Sequence, residues 1–266
     1  MLEESLFLAV KELLARAAIE IRKHQANLLP EAIRTKSKNS LVSAADMWTE
    51  QFLLENFQKL LPESQFLAEE TKASGEHIDW AGFVWIIDPI DGTTNFIHQV
   101  FPCAISVALY RDGEAWMAWV YEITSDQCFS AVKNKGAFVD RSVLRVASNP
   151  NLENALLATG FPYYDFEKME SYWSVLQQFM QHTRGIRRFG AASMDLVWVA
   201  QGKFDAFFEH SLSPWDVAAG TLIVQEAGGV VTDFSGGNNF LFGREIIAAS
   251  ANIYPSILAI FKKHWQ

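Results

Sequence analysis

Sulfur is scarce in this chain. Two cysteines, Cys103 and Cys128, stand among 266 residues, each between strand-like apolar neighbours. Two such thiols build no disulfide framework and lack zinc-site spacing, so both are expected as buried free thiols in a reducing cytoplasm. The histidines His24, His77, His98, His182, His210 and His264 are scattered, with no metal-ligand spacing. Positive charge is also short: 22 Lys and Arg against 31 Asp and Glu leave a net charge of -9. Direct binding to nucleic acid or to an anionic membrane is therefore not expected. An anionic substrate would need local positive charge, which bound cations can supply. No apolar run reaches membrane-spanning length, and the longest, 100–110, contains Pro102. The opening Met1-Leu2-Glu3-Glu4 lacks the basic start of a secretory signal. Repeats, low-complexity tracts and obvious linkers are missing too.

Large apolar side chains are abundant. Half the residues are hydrophobic, with 9 Trp and 20 Phe, enough for one large core or two fused halves. Leu6, Val10, Leu13, Leu14, Ala17 and Ile21 recur at helical spacing. A polar stretch at 35–40 follows, carrying Lys36, Lys38 and Asn39, and then a helix over 44–61 with Ser43 as cap and Pro62 as stop. The run 83–87 reads as a strand covered on both faces. Segments 104–110 and 116–121 flank Arg111-Asp112-Gly113, and 128–132 and 137–139 flank a second turn, both hairpin signals. Beyond about residue 145 the pattern changes. Strands at 155–158, 204–208, 230–231 and 246–247 alternate with helices at 166–181, 194–201, 217–227 and 254–265. The reading is a layered α/β protein: an α+β N-terminal half, 1–145, and an α/β C-terminal half, 146–266.

The chemistry is concentrated in Trp85-Ile86-Ile87-Asp88-Pro89-Ile90-Asp91-Gly92-Thr93-Thr94-Asn95-Phe96. An apolar strand ends abruptly in two carboxylates. Pro89 restricts the backbone between them and Gly92 permits a tight turn. Thr93, Thr94 and Asn95 then offer hydroxyls, an amide and backbone N–H groups at an expected helix start, a place suited to phosphate. Hard oxygen donors beside an anion cradle suit Mg²⁺. A capped turn, with Thr93 as N-cap, is the alternative for these residues alone.

These residues resemble the signature of the inositol monophosphatase family. Leu67-Ala68-Glu69-Glu70-Thr71 is similar to its upstream acidic segment, with Ala68 in place of a usual glycine. Trp215-Asp216-Val217-Ala218-Ala219-Gly220 is similar to its second signature, and Thr159-Gly160-Phe161-Pro162 and Gly228-Gly229 also match. The resemblance implies a layered αβαβα sandwich and a Mg²⁺-dependent, Li⁺-inhibited phosphomonoesterase that uses water directly, with no phosphoenzyme. It implies Glu69, Asp88, the Ile90 carbonyl and Thr93 around one ion, and Asp88, Asp91 and Asp216 around another. Glu69, Thr93 and Asp46 take catalytic roles, Thr93 and Asp46 orienting the water. Asp91, Gly92, Thr93, Ala191, Ala192 and Glu209 contact substrate.

Taken alone, several of these residues have ordinary readings. Glu69 and Glu70 read as a solvated pair, Asp216 as a helix cap, and Asp46 as a first-turn acid. Glu209 suits a polyol, and Thr94 follows the inositol phosphatase form, where related nucleotide-phosphate phosphatases carry lysine. Ser40, Ser43 and Ala191 depart from the family's usual residues. The expected substrate is myo-inositol monophosphate or a similar small polyol phosphate. The alternatives are a sugar or nucleotide 3′-phosphatase, a fructose bisphosphatase, a histidinol-phosphate phosphatase, or a protein-binding role with the transcription machinery. The resemblance also implies a homodimer, with Arg187-Arg188 near its interface.

Overall fold

The computed structural model describes residues 2–28, 33–37, 40–71, 78–162 and 165–265, with backbone alone for residue 2, 33–37 and 40–42. The chain opens with α1 (Leu2–Ala26), a hairpin of β1 (Ile33–Ser37) and β2 (Ser40–Ser43), and α2 (Ala44–Leu60). The first sheet then follows: β3 (Gln65–Ala68), β4 (Phe83–Asp91), β5 (Ala104–Arg111), β6 (Glu114–Glu122), β7 (Gln127–Val132), β8 (Ala137–Val139) and β9 (Ser142–Val143), with α3 (Thr93–His98) between β4 and β5. These seven strands pair in sequence order, β3–β4 parallel and the rest antiparallel.

The second half runs β10 (Leu156–Thr159), α4 (Met169–His182), β11 (Gly185–Arg187), α5 (Ala192–Ala200), β12 (Ala206–His210), α6 (Pro214–Glu226), β13 (Gly229–Thr232), β14 (Glu245–Ser250) and α7 (Tyr254–His264). Its five strands order as β11-β10-β12-β14-β13, with β10 parallel to both neighbours. Helix crossovers explain that parallel core, because parallel neighbours need long connections.

Strand alternation sorts the apolar side chains into three cores. Trp85, Ile87, Ile105 and Val107 meet α1 and α2 through Val10, Leu14 and Phe57. Val84 and Ile86, on the opposite face, meet Leu196 and Val197 of α5 and Leu222 of α6, joined from beyond by Phe207 and Ile246. Ala206, Phe208, Ile247 and Ala249 turn away to meet Val175 and Phe179 of α4 and Phe261 of α7. The result is a five-layered αβαβα sandwich whose middle layer is the helix pair α5 and α6.

Most elements lie where the apolar pattern places them. Several differ: β9 and β11 have no counterpart in the sequence reading, α4 begins at Met169 and not at 166, and β12 begins at Ala206 and not at 204. Of the polar stretch, residues 35–37 lie in β1 and residue 40 in its antiparallel partner β2, and 65–68 forms β3 despite carrying no alternation of its own. α5 and α6 begin at Ala192 and Pro214, earlier than the apolar periodicity: a Ser213–Asp216 capping box sets the α6 start, whereas α5 has no side-chain cap at Ala191 and its first turn is met by Asp91, which accepts from the Ser193 N–H. Pro214 needs no N–H in its first-turn position. Lys38, Asn39, His77 and the side chains of Lys36 and Ser40 lie outside the described residues.

β4 is the strand that carries the site, and its packing is tight. Phe57 stacks on Trp85 with ring centroids 4.3 Å apart, and both are fully buried. Phe57→Ala is expected to cost about 3–5 kcal/mol of unfolding free energy, measured as a lowered urea midpoint with unchanged slope.

Candidate active site

Asp88 and Asp91 are three residues apart on one strand. Regular alternation would send their side chains to opposite faces of the sheet. The pairing of β4 with β5 breaks that regularity: Asp88 sits opposite Ser106 but Asp91 opposite Ala104, three steps on one strand against two on the other. The extra residue falls at Pro89-Ile90, where proline has no N–H for the ladder. The bulge reverses the parity. Ile90 packs into the α1/α2 core. Asp91 turns instead to α5, where its Oδ2 accepts from the Ser193 N–H at 2.7 Å and the Ser193 hydroxyl at 2.5 Å. Asp88 faces the same side, since its partner Ser106 donates to the Trp215 carbonyl at the start of α6.

Helix starts supply the other acids. Asp46 closes a capping box on α2: its Oδ2 accepts from the Ser43 N–H at 2.8 Å and the Ser43 hydroxyl at 2.6 Å. Its Oδ1 accepts from the Thr93 hydroxyl at 3.1 Å. That hydroxyl also lies 3.1 Å from the Ile90 carbonyl. Asp216 accepts from the Ser213 N–H at 2.6 Å in the first turn of α6. Asp46 is thus the first-turn acid its local sequence suggests, and Asp216 holds the same place in α6, where the cap is Ser213 and not Asp216 itself. Asp46 uses its second oxygen on Thr93, 47 residues away. Glu69 follows β3 directly, and its N–H donates to the Ile87 carbonyl at 3.2 Å, one residue before Asp88.

Gly92, with φ of 89°, is the N-cap of α3. A side chain there would meet the Pro102 carbonyl at 3.1 Å and the Ala191 Cβ at 3.2 Å, so the α5 start closes directly on the turn. Thr93 is the first residue of α3 and not its cap. Asn95 ties this corner together, donating to the carbonyls of Pro102 at 2.9 Å and Phe189 at 2.7 Å.

Glu209 comes from β12 and faces the middle helix layer alongside Phe207. Its carboxyl occupies the space of a missing side chain at Gly160, whose Cβ would lie 2.0 Å from it. Ala191 and Ala192 are buried at the start of α5, and the Ala192 N–H is directed at Asp91.

The electrostatics are dominated by burial of like charges. Asp88, 2% exposed, is held well above the usual carboxylate range by burial, then by Glu69, Asp91, Asp216 and Asp46. Burial pushes Asp46 up to about 6, against the Ser43 hydrogen bonds. Asp91 rises to about 6 by burial, opposed by Ser193. Glu209 is raised by burial and Asp216, with Arg188 opposing. Among the described residues, no three His, Cys, Asp or Glu side chains are already drawn to metal-binding separation. The donor set nevertheless fits a cation. Glu69, Asp88, Asp91 and Asp216 are mutually interacting oxygen donors with no sulfur or imidazole among them, the chemistry of a hard divalent ion.

Two residues of this corner carry no obvious sequence signal. Ser193 anchors Asp91, and Asp195, 1% exposed beside Glu209, has an Oδ1 with no hydrogen-bond partner among the described residues. Their one mark is that they are polar insertions in the otherwise apolar α5.

A bulged strand, three helix starts and a converging set of acids between two sheets define a phosphatase-type sandwich, and the comparisons agree. The chain belongs to the inositol monophosphatase family, whose pattern it matches over residues 3–266. The inositol-1-monophosphatase of Caulobacter vibrioides is 41% identical over 229 residues, covering 85% of this chain and 89% of that one. The putative Nus factor SuhB of Neisseria meningitidis serogroup B is 42% identical over 236 residues, covering 88% and 90%. The crystal structure of extragenic suppressor protein suhB from Bartonella henselae superposes with a TM-score of 0.89 at 32% identity, covering 97% and 99%.

Raised carboxylates destabilise the folded chain when ionised. For Asp46 and Asp91 the stability cost grows as pH rises from the unfolded value of 3.8 to about 6 and is constant above. Asp88→Asn removes from the cluster a carboxyl whose ionisation burial and four neighbouring acids oppose. In chelator at pH 7 its Tm is expected to rise by about 2 °C or more, the shift per kcal/mol for a chain of this size, and calorimetry with and without Mg²⁺ checks this.

Proposed function

We propose that the chain is a Mg²⁺-dependent phosphomonoesterase acting on myo-inositol monophosphate or a similar small polyol phosphate. The observation that carries this reading is the β4 bulge, which turns Asp88 and Asp91 to one side next to a Thr93 hydroxyl held by Asp46. Glu69, Asp88, the Ile90 carbonyl and Thr93 would hold one ion, and Asp88, Asp91 and Asp216 a second. When bound, such ions activate water and stabilise charge on the leaving oxygen.

The chain's own residues do the positioning. Thr93 donates its proton toward Asp46 or the Ile90 carbonyl. Its oxygen lone pairs then accept from the attacking water and aim that water at phosphorus. Backbone N–H groups of Gly92 and Thr93 receive the phosphate oxygens beside Asp91. Glu209 and the Ala191-Ala192 turn face the alcohol part of the ester, where a carboxyl matches ring hydroxyls. The displaced alcohol leaves with a proton from water, so no covalent enzyme intermediate is required.

Similarity to proteins named Nus factor SuhB favours a second role, binding to the transcription machinery, compatible with the first. No helix among the described residues is long and apolar enough to cross a membrane. A cytoplasmic location is part of the same proposal. A homodimer belongs to the same reading. Val100 and Phe101 are exposed, and the Phe101 ring lies 5.6 Å from Trp198, an apolar face beside the site.

A panel of phosphate esters assayed with Mg²⁺, and again after exhaustive chelation, tests the reading; full activity without divalent metal would sink it. Glu209→Ala is expected to raise KM for inositol phosphate roughly two- to tenfold, equivalent to about 0.5–1.5 kcal/mol, and to leave an aryl phosphate nearly unaffected. Light scattering should give twice the chain mass. Retention of RNA polymerase by an inactive Asp88→Asn protein would separate the second role from the first.

A further inference from the structure

Asp46 is not the only acid that α2 buries. Glu50, one turn further along the same helix face, is 1% exposed. Its carboxylate reaches across to the segment after β3. Oε2 accepts from the Glu70 N–H and Oε1 from the Thr71 N–H, both at 2.7 Å. Bonds to an ionised acceptor are about twice as strong as neutral ones, and two from consecutive N–H groups fix a segment in orientation as well as place. The segment so fixed begins at Glu69, whose own N–H is held by the Ile87 carbonyl on the other side. Glu69 therefore stands between a strand rung and a helix carboxylate.

Resting on the phosphatase reading above, we infer that Glu50 is a positioning residue for the metal ligand Glu69, and that α2 organises the site twice. Asp46 sets Thr93, and Glu50 sets the Glu69 segment. A residue that orients a ligand in this way changes metal affinity by about 10–100-fold when removed. A residue that merely stabilises the fold does not.

The chain contains its own control. Glu122, also 1% exposed, caps another turn by the same device, accepting from the Thr124 N–H at 3.0 Å and the Ser125 N–H at 2.5 Å. That turn carries no proposed ligand. Glu50→Gln and Glu122→Gln each replace one acceptor oxygen with an NH₂ group facing an N–H, so both should lower stability similarly.

The experiment is calorimetric titration of Mg²⁺ into the chelated full-length proteins, with hydrogen exchange on peptides covering residues 69–71. Glu50→Gln is expected to raise the Mg²⁺ Kd about 10–100-fold, to speed exchange at Glu70 and Thr71, and to recover turnover at saturating Mg²⁺. Glu122→Gln should leave the Mg²⁺ Kd unchanged. If Glu50→Gln does not fold, Glu50→Asp keeps the charge on a shorter arm and should show a smaller rise in Kd. Wild-type binding with an unchanged constant in the Glu50 variants would overturn the inference alone. A wild-type protein that binds no Mg²⁺ would overturn the phosphatase reading and this inference with it.

Discussion

A β-strand alternates its side chains, so two acids three residues apart cannot serve one site unless the strand breaks its own rule. In this chain β4 does so at Pro89-Ile90. Proline removes the ladder donor, the extra residue is absorbed as a bulge, and everything after it changes face. Ile90 goes to the α1/α2 core and Asp91 to α5. The rest of the site depends on that reversal. Gly92 can meet Ala191 only because Asp91 has already turned toward the middle layer, and Thr93 meets Asp46 from the next turn.

Gathering buried acids requires compensation, and helix starts provide it. Asp46 and Asp216, themselves in the first turns of α2 and α6, accept from the N-cap N–H groups of Ser43 and Ser213, and Asp91 accepts from the first turn of α5. Each first turn has N–H groups without partners inside its helix and a partial positive charge along its axis. A carboxylate has two oxygens, so capping a helix and serving a site are compatible tasks for one residue. The capping lowers the proton affinity of Asp46 and Asp91 without overcoming burial, since both still lie near 6. On the metal reading proposed above, such a cluster sacrifices stability for readiness to bind a cation, a common relation at functional sites.

Much of this was legible beforehand where local pattern decides. The covered strand at 83–87, the hairpins, the amphipathic first helix and the acid pair around Pro89 all follow from residue type and spacing. The bulge was not legible, because D-P-I-D fits a capped turn equally well until a partner strand sets the register. Thr93 illustrates the same ambiguity: local rules make it a cap, yet Gly92 is the cap and Thr93 is bonded to Asp46. Ser193 and Asp91 lie 102 residues apart, and no local rule pairs them. Glu50 carries no signal in the sequence, because its partners, the Glu70 and Thr71 N–H groups, are brought to it by the tertiary fold. Glu209 is singled out by family resemblance alone, and the structure packs its carboxyl against Gly160.

In the proposed phosphatase, the β4 bulge makes Asp88 the shared centre of a metal site. Anomalous scattering from crystals soaked in Mn²⁺, a hard ion accepted by the same oxygen donors, tests it most directly. The account predicts anomalous density in contact with Asp88, one peak toward Glu69 and one toward Asp91 and Asp216. Saturating Mn²⁺ that leaves Asp88 without a contacting peak would contradict it.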